Sequence, residues 1–301
     1  MFCSQEKTKQ LGWFALKIVV LAAALMVITR TLSTLRSSDW LLLRYKLLNA
    51  PLTFMALLFL MSLANWGVEM LKWQSAVKPF ALINFSRAAR ETILAFGAGF
   101  ITPFKLGEYA LKAQFYHRHL KHNVVLSHFF CQLPQILCTL IFGLFGLLKW
   151  TSVQPLMKPN LTRFLLILVF LLILTPIVIQ TKKQLKLGLN ISLKTLFVLF
   201  NYSVLRFVIF SSMFVVGLKI MGNPLNALET LFGVWTMYFI QVAAPTFSGL
   251  DVAVKGGSAL LVFQGIIPAQ IILGAVILQY CLSQLAPLAI SLIISPKTRI
   301  E

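Results

Sequence analysis

Pro103-Phe-Lys-Leu-Gly107-Glu108, with Lys112 four residues after the acid, is the stretch that decides the fold. It has a counterpart in the other half of the chain, Pro245-Thr-Phe-Ser-Gly249-Leu-Asp251, with Lys255 four residues after the acid. Membrane segments normally exclude proline, glycine, carboxylates and ammonium groups. Two such helix-breaking, charged elements in an apolar chain indicate a transport site near the midplane of a bilayer.

The composition is that of an integral membrane protein. Of the 301 residues, 58% are hydrophobic and 12% are charged, and the mean hydropathy is +0.85. Soluble domains carry about 25% charged residues. The formal net charge is +19, but the basic residues lie in short runs between apolar segments, where they orient the chain and meet anionic headgroups. We therefore expect membrane lipids as partners, and no nucleic acid.

Six segments are apolar over the length of about 20 residues that a bilayer requires. They are 11–29, 50–71, 124–148, 161–180, 195–221 and 267–294. Two regions remain, 84–121 and 223–264. The first has only thirteen uncharged residues between Glu91 and Lys105, which are too few to cross unaided. We predict that it forms a re-entrant helical hairpin, broken at its proline and glycine.

The second region is predicted to form a matching hairpin, broken at Pro245 and Gly249. Its stretch 230–247 is long enough to span a bilayer, but the repeat favours the hairpin, because Ala-x-Glu-Thr precedes the Pro–Gly–acid–Lys element in both halves. The predicted fold is therefore an all-α polytopic membrane protein with six transmembrane helices and two re-entrant hairpins. Eight plain spans are the alternative.

The basic residues distinguish these two models. With six spans and two hairpins, fourteen Lys and Arg residues lie on the side of the N-terminus and seven on the other side. With eight spans the distribution is roughly even. The positive-inside rule therefore favours the hairpins and places both termini in the cytoplasm. We predict one membrane domain whose halves, 1–150 and 151–301, are inverted because each has an odd number of spans.

Charged residues within the apolar regions are the predicted substrate contacts. They are Lys105, Glu108, Lys112, Arg206, Asp251 and Lys255. The two acids are each followed by a lysine at i+4, on the same helix face. Each such pair is either a local ion pair that makes burial tolerable or part of a polar lining that meets a charged headgroup. The predicted hairpin breaks are Pro103, Gly107, Pro245 and Gly249.

Arg206 lies well inside a predicted span, where its guanidinium needs an anionic partner. Glu69 of the second span is one candidate, and a lipid phosphate is the other. Four amide side chains are expected to join helices rather than bind a ligand: Asn65, Gln132, Gln135 and Gln241. The four histidines match no zinc spacing, so we expect no metal, no cofactor and a basic surface facing headgroups at His117, His119, His122 and His128.

The two motifs resemble those of a known family. Residues 100–112, Phe-Ile-Thr-Pro-Phe-Lys-Leu-Gly-Glu-Tyr-Ala-Leu-Lys, resemble the Pro-x-x-x-Gly-Glu-x-x-x-basic signature of the lysylphosphatidylglycerol synthase transmembrane-region family. Residues 245–251 resemble that family's second Pro- and Gly-rich element, which usually ends in Glu where this chain has Asp251. Family members include the lipid-flipping half of aminoacyl-phosphatidylglycerol synthases and stand-alone flippase-like proteins. The resemblance implies a stand-alone member, because no synthase domain follows Glu301.

We therefore expect a lipid translocator of the inner (cytoplasmic) membrane rather than an enzyme. Its substrate is expected to be a phospholipid or a lipid-linked headgroup. A membrane-embedded lipid or glycosyl transferase is an alternative, although the chain contains no Asp-x-Asp or Glu-x-x-Glu motif. A non-transporting membrane scaffold is another. Association with a partner enzyme and formation of a homo-oligomer are both left as alternatives.

Overall fold

The computed structural model describes residues 37–102, 105–150, 192–242 and 251–294. Within these ranges the fold is all-α, as predicted, and contains no strand. The helices are α1 (Ser37–Leu48), α2 (Leu52–Val77), α3 (Phe85–Phe100), α4 (Leu106–Gln114), α5 (Lys121–Lys149), α6 (Leu193–Ile220), α7 (Ala227–Val242), α8 (Asp251–Phe263), α9 (Ala269–Tyr280) and α10 (Ala286–Ile293). A 3-10 turn precedes α5, and a π-helical turn joins α9 to α10.

Four helical segments of the described chain are long and apolar enough to cross a membrane. They are Leu52–Val77, Arg118–Lys149, Leu193–Ile220 and Ala269–Ile293. Each coincides with a predicted span, and the remaining predicted spans, 11–29 and 161–180, lie outside the described residues. Large apolar side chains such as Phe59 and Leu63 are exposed on the outer faces of these helices, as in a membrane protein.

Helices α3 and α4 form a helical hairpin, in which the start of α3 lies next to the end of α4. Arg87, in the first turn of α3, donates from Nη2 to the carbonyl of Phe115, just after α4, over 3.2 Å. Glu91, one turn later, accepts from the Tyr116 hydroxyl at 2.9 Å and from the Trp73 indole at 2.8 Å. Burial and the Glu91 carboxylate raise the pKa of Tyr116, so its phenol stays a donor. The base of this hairpin therefore packs on the end of α2, and its buried cluster includes the start of α5.

The turn between α3 and α4 depends on Thr102 and Gly107. The Thr102 hydroxyl donates to the carbonyl of Ala98 at 3.0 Å and accepts from the N–H of Gly107 at 2.8 Å. Gly107 lies so close to Ala98 that a Cβ atom would overlap the Ala98 carbonyl. Lys105, just before α4, has a left-handed φ of 57°, which helps to reverse the chain. Gly107 thus lies at the predicted break, and Pro103 lies outside the described residues.

Helices α7 and α8 form a second helical hairpin, with its base at the opposite end of the bundle. The ring of Phe263, the last residue of α8, packs on Trp150, just past the end of α5, with a centroid distance of 5.3 Å. Gly233, in the second turn of α7, lies against both rings. The bases of the two hairpins are therefore separated by the 29 residues of α5. At 1.5 Å per residue this is about 43 Å. The predicted breaks Pro245 and Gly249 lie outside the described residues.

The same pattern of neighbours occurs in two groups of four helices. In the first group, α2 to α5, each helix contacts the next and α5 returns to α2. The second group, α6 to α9, has the same four contacts. Between the groups, α2 packs along α6, α5 packs along α7, and α10, which continues α9, packs on α3. In each group, the two helices of a hairpin therefore pack between two long apolar helical segments, and these contacts form the core.

Candidate functional site

A polar cavity of about 310 Å³ lies within the bundle. Asn65, Gln135 and Arg206 line it, and these residues stand near the midpoints of α2, α5 and α6. The first hairpin reaches the cavity with the start of α4, and the second reaches it with the start of α8. Polar and charged groups thus meet midway along apolar helices, where their burial is costly without partners.

Five of the six predicted substrate contacts line this cavity: Lys105, Glu108, Lys112, Arg206 and Asp251. Lys255 is not among the lining residues. Its ammonium instead donates to Oε1 of Gln279 on α9 and lies 4.5 Å from the ring centroid of Phe210 on α6. The amide and the ring are the partners of this buried lysine, and because Phe210 itself lines the cavity, Lys255 contacts a lining residue without lining the cavity.

An ion pair joins the tips of the two hairpins. Nζ of Lys105 lies 3.7 Å from Oδ2 of Asp251. The Lys105 side chain is 33% exposed and that of Asp251 is 18% exposed, and both line the cavity. Charge-assisted hydrogen bonds of this type are usually about 2.7–2.9 Å long. The pair therefore holds the tips together loosely and leaves both groups accessible from the cavity.

Of the two interpretations left open for Glu108 and Lys112, the local ion pair is not formed. His128 of α5 lies between them, with Nε2 at 3.3 Å from Glu108 Oε2 and Nδ1 at 3.1 Å from Lys112 Nζ. The Lys112 ammonium also lies 4.0 Å from the ring centroid of Trp73, so its side chain extends towards α2 rather than along its own helix to the acid. The other possible local pair, between Asp251 and Lys255, is also absent from the described residues, because Asp251 pairs with Lys105 of the first hairpin.

His128 was missed by the sequence reasoning as a member of this site. It was grouped with three histidines at the start of the same helical segment, as part of a surface facing headgroups. That assignment is wrong for His128, which is 1% exposed. The available signal was its position about two turns into α5, which separates it from the three histidines at the start of the segment.

Arg206 pairs with Glu69, one of its two expected partners. Nη1 of Arg206 lies 3.2 Å from Glu69 Oε2, and Nζ of Lys72 lies 2.8 Å from the same oxygen. This three-residue cluster connects α2 with α6 near the cavity. Nε of Arg206 has no hydrogen-bond partner among the described residues, so the guanidinium keeps a donor for a further anion.

The four amides expected to join helices line the cavity: Asn65, Gln132, Gln135 and Gln241. Within the described ranges, no side-chain hydrogen bond connects any of them to another helix. The amide oxygens of Asn65 and Gln135, together with that of Gln284, are buried and have no hydrogen-bond partner there. The lining therefore offers acceptors as well as charges.

No protein-family model matches this chain, and no curated protein has a significantly similar sequence. Among the residues that the structure describes, no three His, Cys, Asp or Glu side chains lie close enough to hold a metal ion. What the site offers is a set of ionic partners, amide groups and aromatic faces, including those of Trp66 and Tyr238. The cavity volume of about 310 Å³ is at the lower end of the roughly 300–1,000 Å³ that is usual for ligand pockets, which suits a small polar group.

Proposed function

We propose that this protein is a lipid translocator of the cytoplasmic membrane, which moves a phospholipid or a lipid-linked headgroup between leaflets. One observation carries the proposal: charged groups from two hairpins with bases at opposite ends of the bundle meet in one polar cavity. A headgroup that crosses a bilayer must lose its water of hydration, and this loss is strongly unfavourable in hydrocarbon. The cavity lining replaces water around the headgroup while the acyl chains stay in lipid.

We propose further that the hairpins are re-entrant from opposite leaflets and that the two groups of helices are inverted repeats. The repeated set of helix contacts supports this. So do Lys112 and Lys255, which are both buried. Each lies over an aromatic ring on the first long helix of its group and contacts a polar side chain on the last one, His128 or Gln279. Inverted repeats suit alternating access, because the two halves can exchange conformations around a fixed site.

The motif resemblance supports kinship with the flippase-like members of the lysylphosphatidylglycerol synthase transmembrane-region family. The distribution of basic residues supports a topology with both termini in the cytoplasm. In the proposed mechanism the ion pair between Lys105 and Asp251 holds the two hairpin tips together while no headgroup is bound. An arriving headgroup binds one or both of these side chains, and the tips separate. The headgroup then passes from the hairpin of one leaflet to that of the other.

The proposal is tested by Glu108→Ala and Asp251→Ala in a lipid-scrambling assay with purified protein in liposomes. Asp251→Ala leaves Lys105 without its acid, and Glu108→Ala removes the acid that contacts His128. We expect transport to fall by about tenfold or more in each variant, and tenfold corresponds to about 1.4 kcal/mol. Glu229→Ala is the matched control, because Glu229 is an exposed acid at the base of the second hairpin. Unchanged transport by both cavity variants, with normal folding, would refute the site.

A further inference from the structure

The charges that line the cavity balance one another. Among the described residues that line it are three carboxylates and three cations: Glu69, Glu108, Asp251, Lys105, Lys112 and Arg206. Lys72, which contacts Glu69 without lining the cavity, adds one buried cation behind this set. Residues 103–104 and 243–250 carry no charged side chain. A headgroup with a net charge can pair with Lys105 or with Asp251 but not with both, so it would bring an uncompensated charge to this pair, which is unfavourable. A zwitterionic headgroup brings none.

The tip ion pair has the form of a site for such a zwitterion. Lys105 and Asp251 are of opposite sign, 3.7 Å apart and accessible from the cavity. A headgroup that carries both a phosphate and an ammonium can take the place of each ion's present partner. Its phosphate oxygens accept from the lysine while its ammonium donates to the aspartate. Neither side chain then becomes an unpaired buried charge, which would be the costly outcome.

The remaining polar atoms favour an ammonium that carries N–H groups. The amide oxygens of Asn65, Gln135 and Gln284 line the cavity and have no hydrogen-bond partner among the described residues. A buried acceptor without a donor is destabilising. A primary ammonium has three donors, as in the lysine side chain, whereas the trimethylammonium of choline has none. Nε of Arg206 is a further donor for a phosphate oxygen.

We propose that the headgroup carried by this protein is zwitterionic and contains a phosphate and a primary ammonium, as in phosphatidylethanolamine, and that it binds between Lys105 and Asp251. The inference rests on the proposed lipid translocation and adds the substrate class to it.

The experiment uses the full chain in liposomes and four lipids labelled on an acyl chain: phosphatidylethanolamine, its N-acetyl derivative, phosphatidylglycerol and phosphatidylcholine. N-acetylation removes the ammonium with little change in headgroup size. Dithionite quenching of the outer leaflet gives each rate of exchange. We expect phosphatidylethanolamine to move about tenfold faster than each of the other three, a difference of 1.4 kcal/mol. An equal rate for any of them would overturn the inference while leaving translocation intact. If no lipid moves, translocation itself fails and this inference fails with it.

Two variants test the charge balance directly. Asp251→Asn leaves the lining with one excess cation, so the ratio of the phosphatidylethanolamine rate to the phosphatidylglycerol rate should fall severalfold. Lys105→Gln leaves one excess acid, so it should slow both lipids and should not favour phosphatidylglycerol. Glu229→Gln, outside the cavity, should keep the ratio of the unmodified protein. Elution as a single species in size-exclusion chromatography verifies folding. An unchanged ratio in folded Asp251→Asn would contradict the proposal.

Discussion

Replacement of Glu69 by Gln should destabilise the protein more than a typical single substitution. Glu69 is 7% exposed and is the carboxylate that both Arg206 and Lys72 approach within 4 Å. Lys72 is 0% exposed, so it cannot turn to solvent when the acid is lost. Removal of one partner from a buried ion pair costs about 3–5 kcal/mol, because the other charge stays buried without compensation. Substitutions commonly cost about 1 kcal/mol.

The matched control is the double variant Glu69→Gln/Lys72→Met. It removes the buried cation together with the acid and fills the space with an apolar side chain of similar length. Replacement of a buried pair by apolar residues is often neutral or stabilising. We therefore expect the double variant to recover most of the lost stability. Arg206 loses its acid partner in this variant too, but its side chain lines the cavity and is not enclosed.

The assay is thermal unfolding of purified protein in detergent, followed by tryptophan fluorescence. A loss of about 4 kcal/mol should lower Tm by roughly 6 °C, given an unfolding entropy of about 2.1 cal/mol/K per residue. The double variant should lie within a few degrees of the unmodified protein. A single variant that unfolds at the unmodified temperature would show that Glu69 is not the counter-ion of a buried cluster. A double variant as unstable as the single one would assign the loss to packing rather than to charge.

Two further substitutions test the first hairpin, both by Tm in detergent. Gly107→Ala should lower stability by about 1–3 kcal/mol, because its Cβ would overlap the Ala98 carbonyl. Gly67→Ala is the control and should not lower stability, because a Cβ there meets nothing within 4 Å. Equal changes in Tm for the two variants would contradict the close approach at the turn. His128→Leu should cost about 1–3 kcal/mol because it leaves the Lys112 ammonium without its hydrogen-bond acceptor, and His128→Gln, which supplies an acceptor, should cost less. Equal losses in the two His128 variants would argue that the imidazole acts by volume alone.

The helical framework could be predicted because its signals are local. The apolar runs predict the four described candidate spans, and the repeated Pro–Gly–acid–Lys element lies where α4 and α8 begin. Helix breakers and charges are rare in apolar surroundings, so each occurrence is informative. The prediction that these elements are re-entrant stays a prediction, since it concerns a bilayer that helix geometry alone does not define.

The partners of the charged residues could not be predicted, because they depend on contacts between distant parts of the chain. Lys105 and Asp251 are far apart in sequence, and only the meeting of the hairpin tips makes them neighbours. The i,i+4 spacing made local pairs one of two possible interpretations, but that rule applies to an isolated helix. In the structure, rings and polar groups on neighbouring helices draw Lys112 and Lys255 away from their local acids. Gln135 and similar amides illustrate the same difficulty, since the choice between lining a cavity and joining helices depends on helix rotation.

The most direct measurement of the central claim is lipid exchange by a charge swap at the hairpin tips. Lys105→Asp alone and Asp251→Lys alone each place two like charges where the structure has an ion pair of 3.7 Å. Like charges at this separation repel, so each single variant should lose most of its lipid exchange in liposomes. The double variant Lys105→Asp/Asp251→Lys restores opposite charges, and it should exchange lipid several times faster than either single variant. If the double variant is no faster than the single variants, or if the single variants keep full activity, the two hairpins do not meet around a transported headgroup.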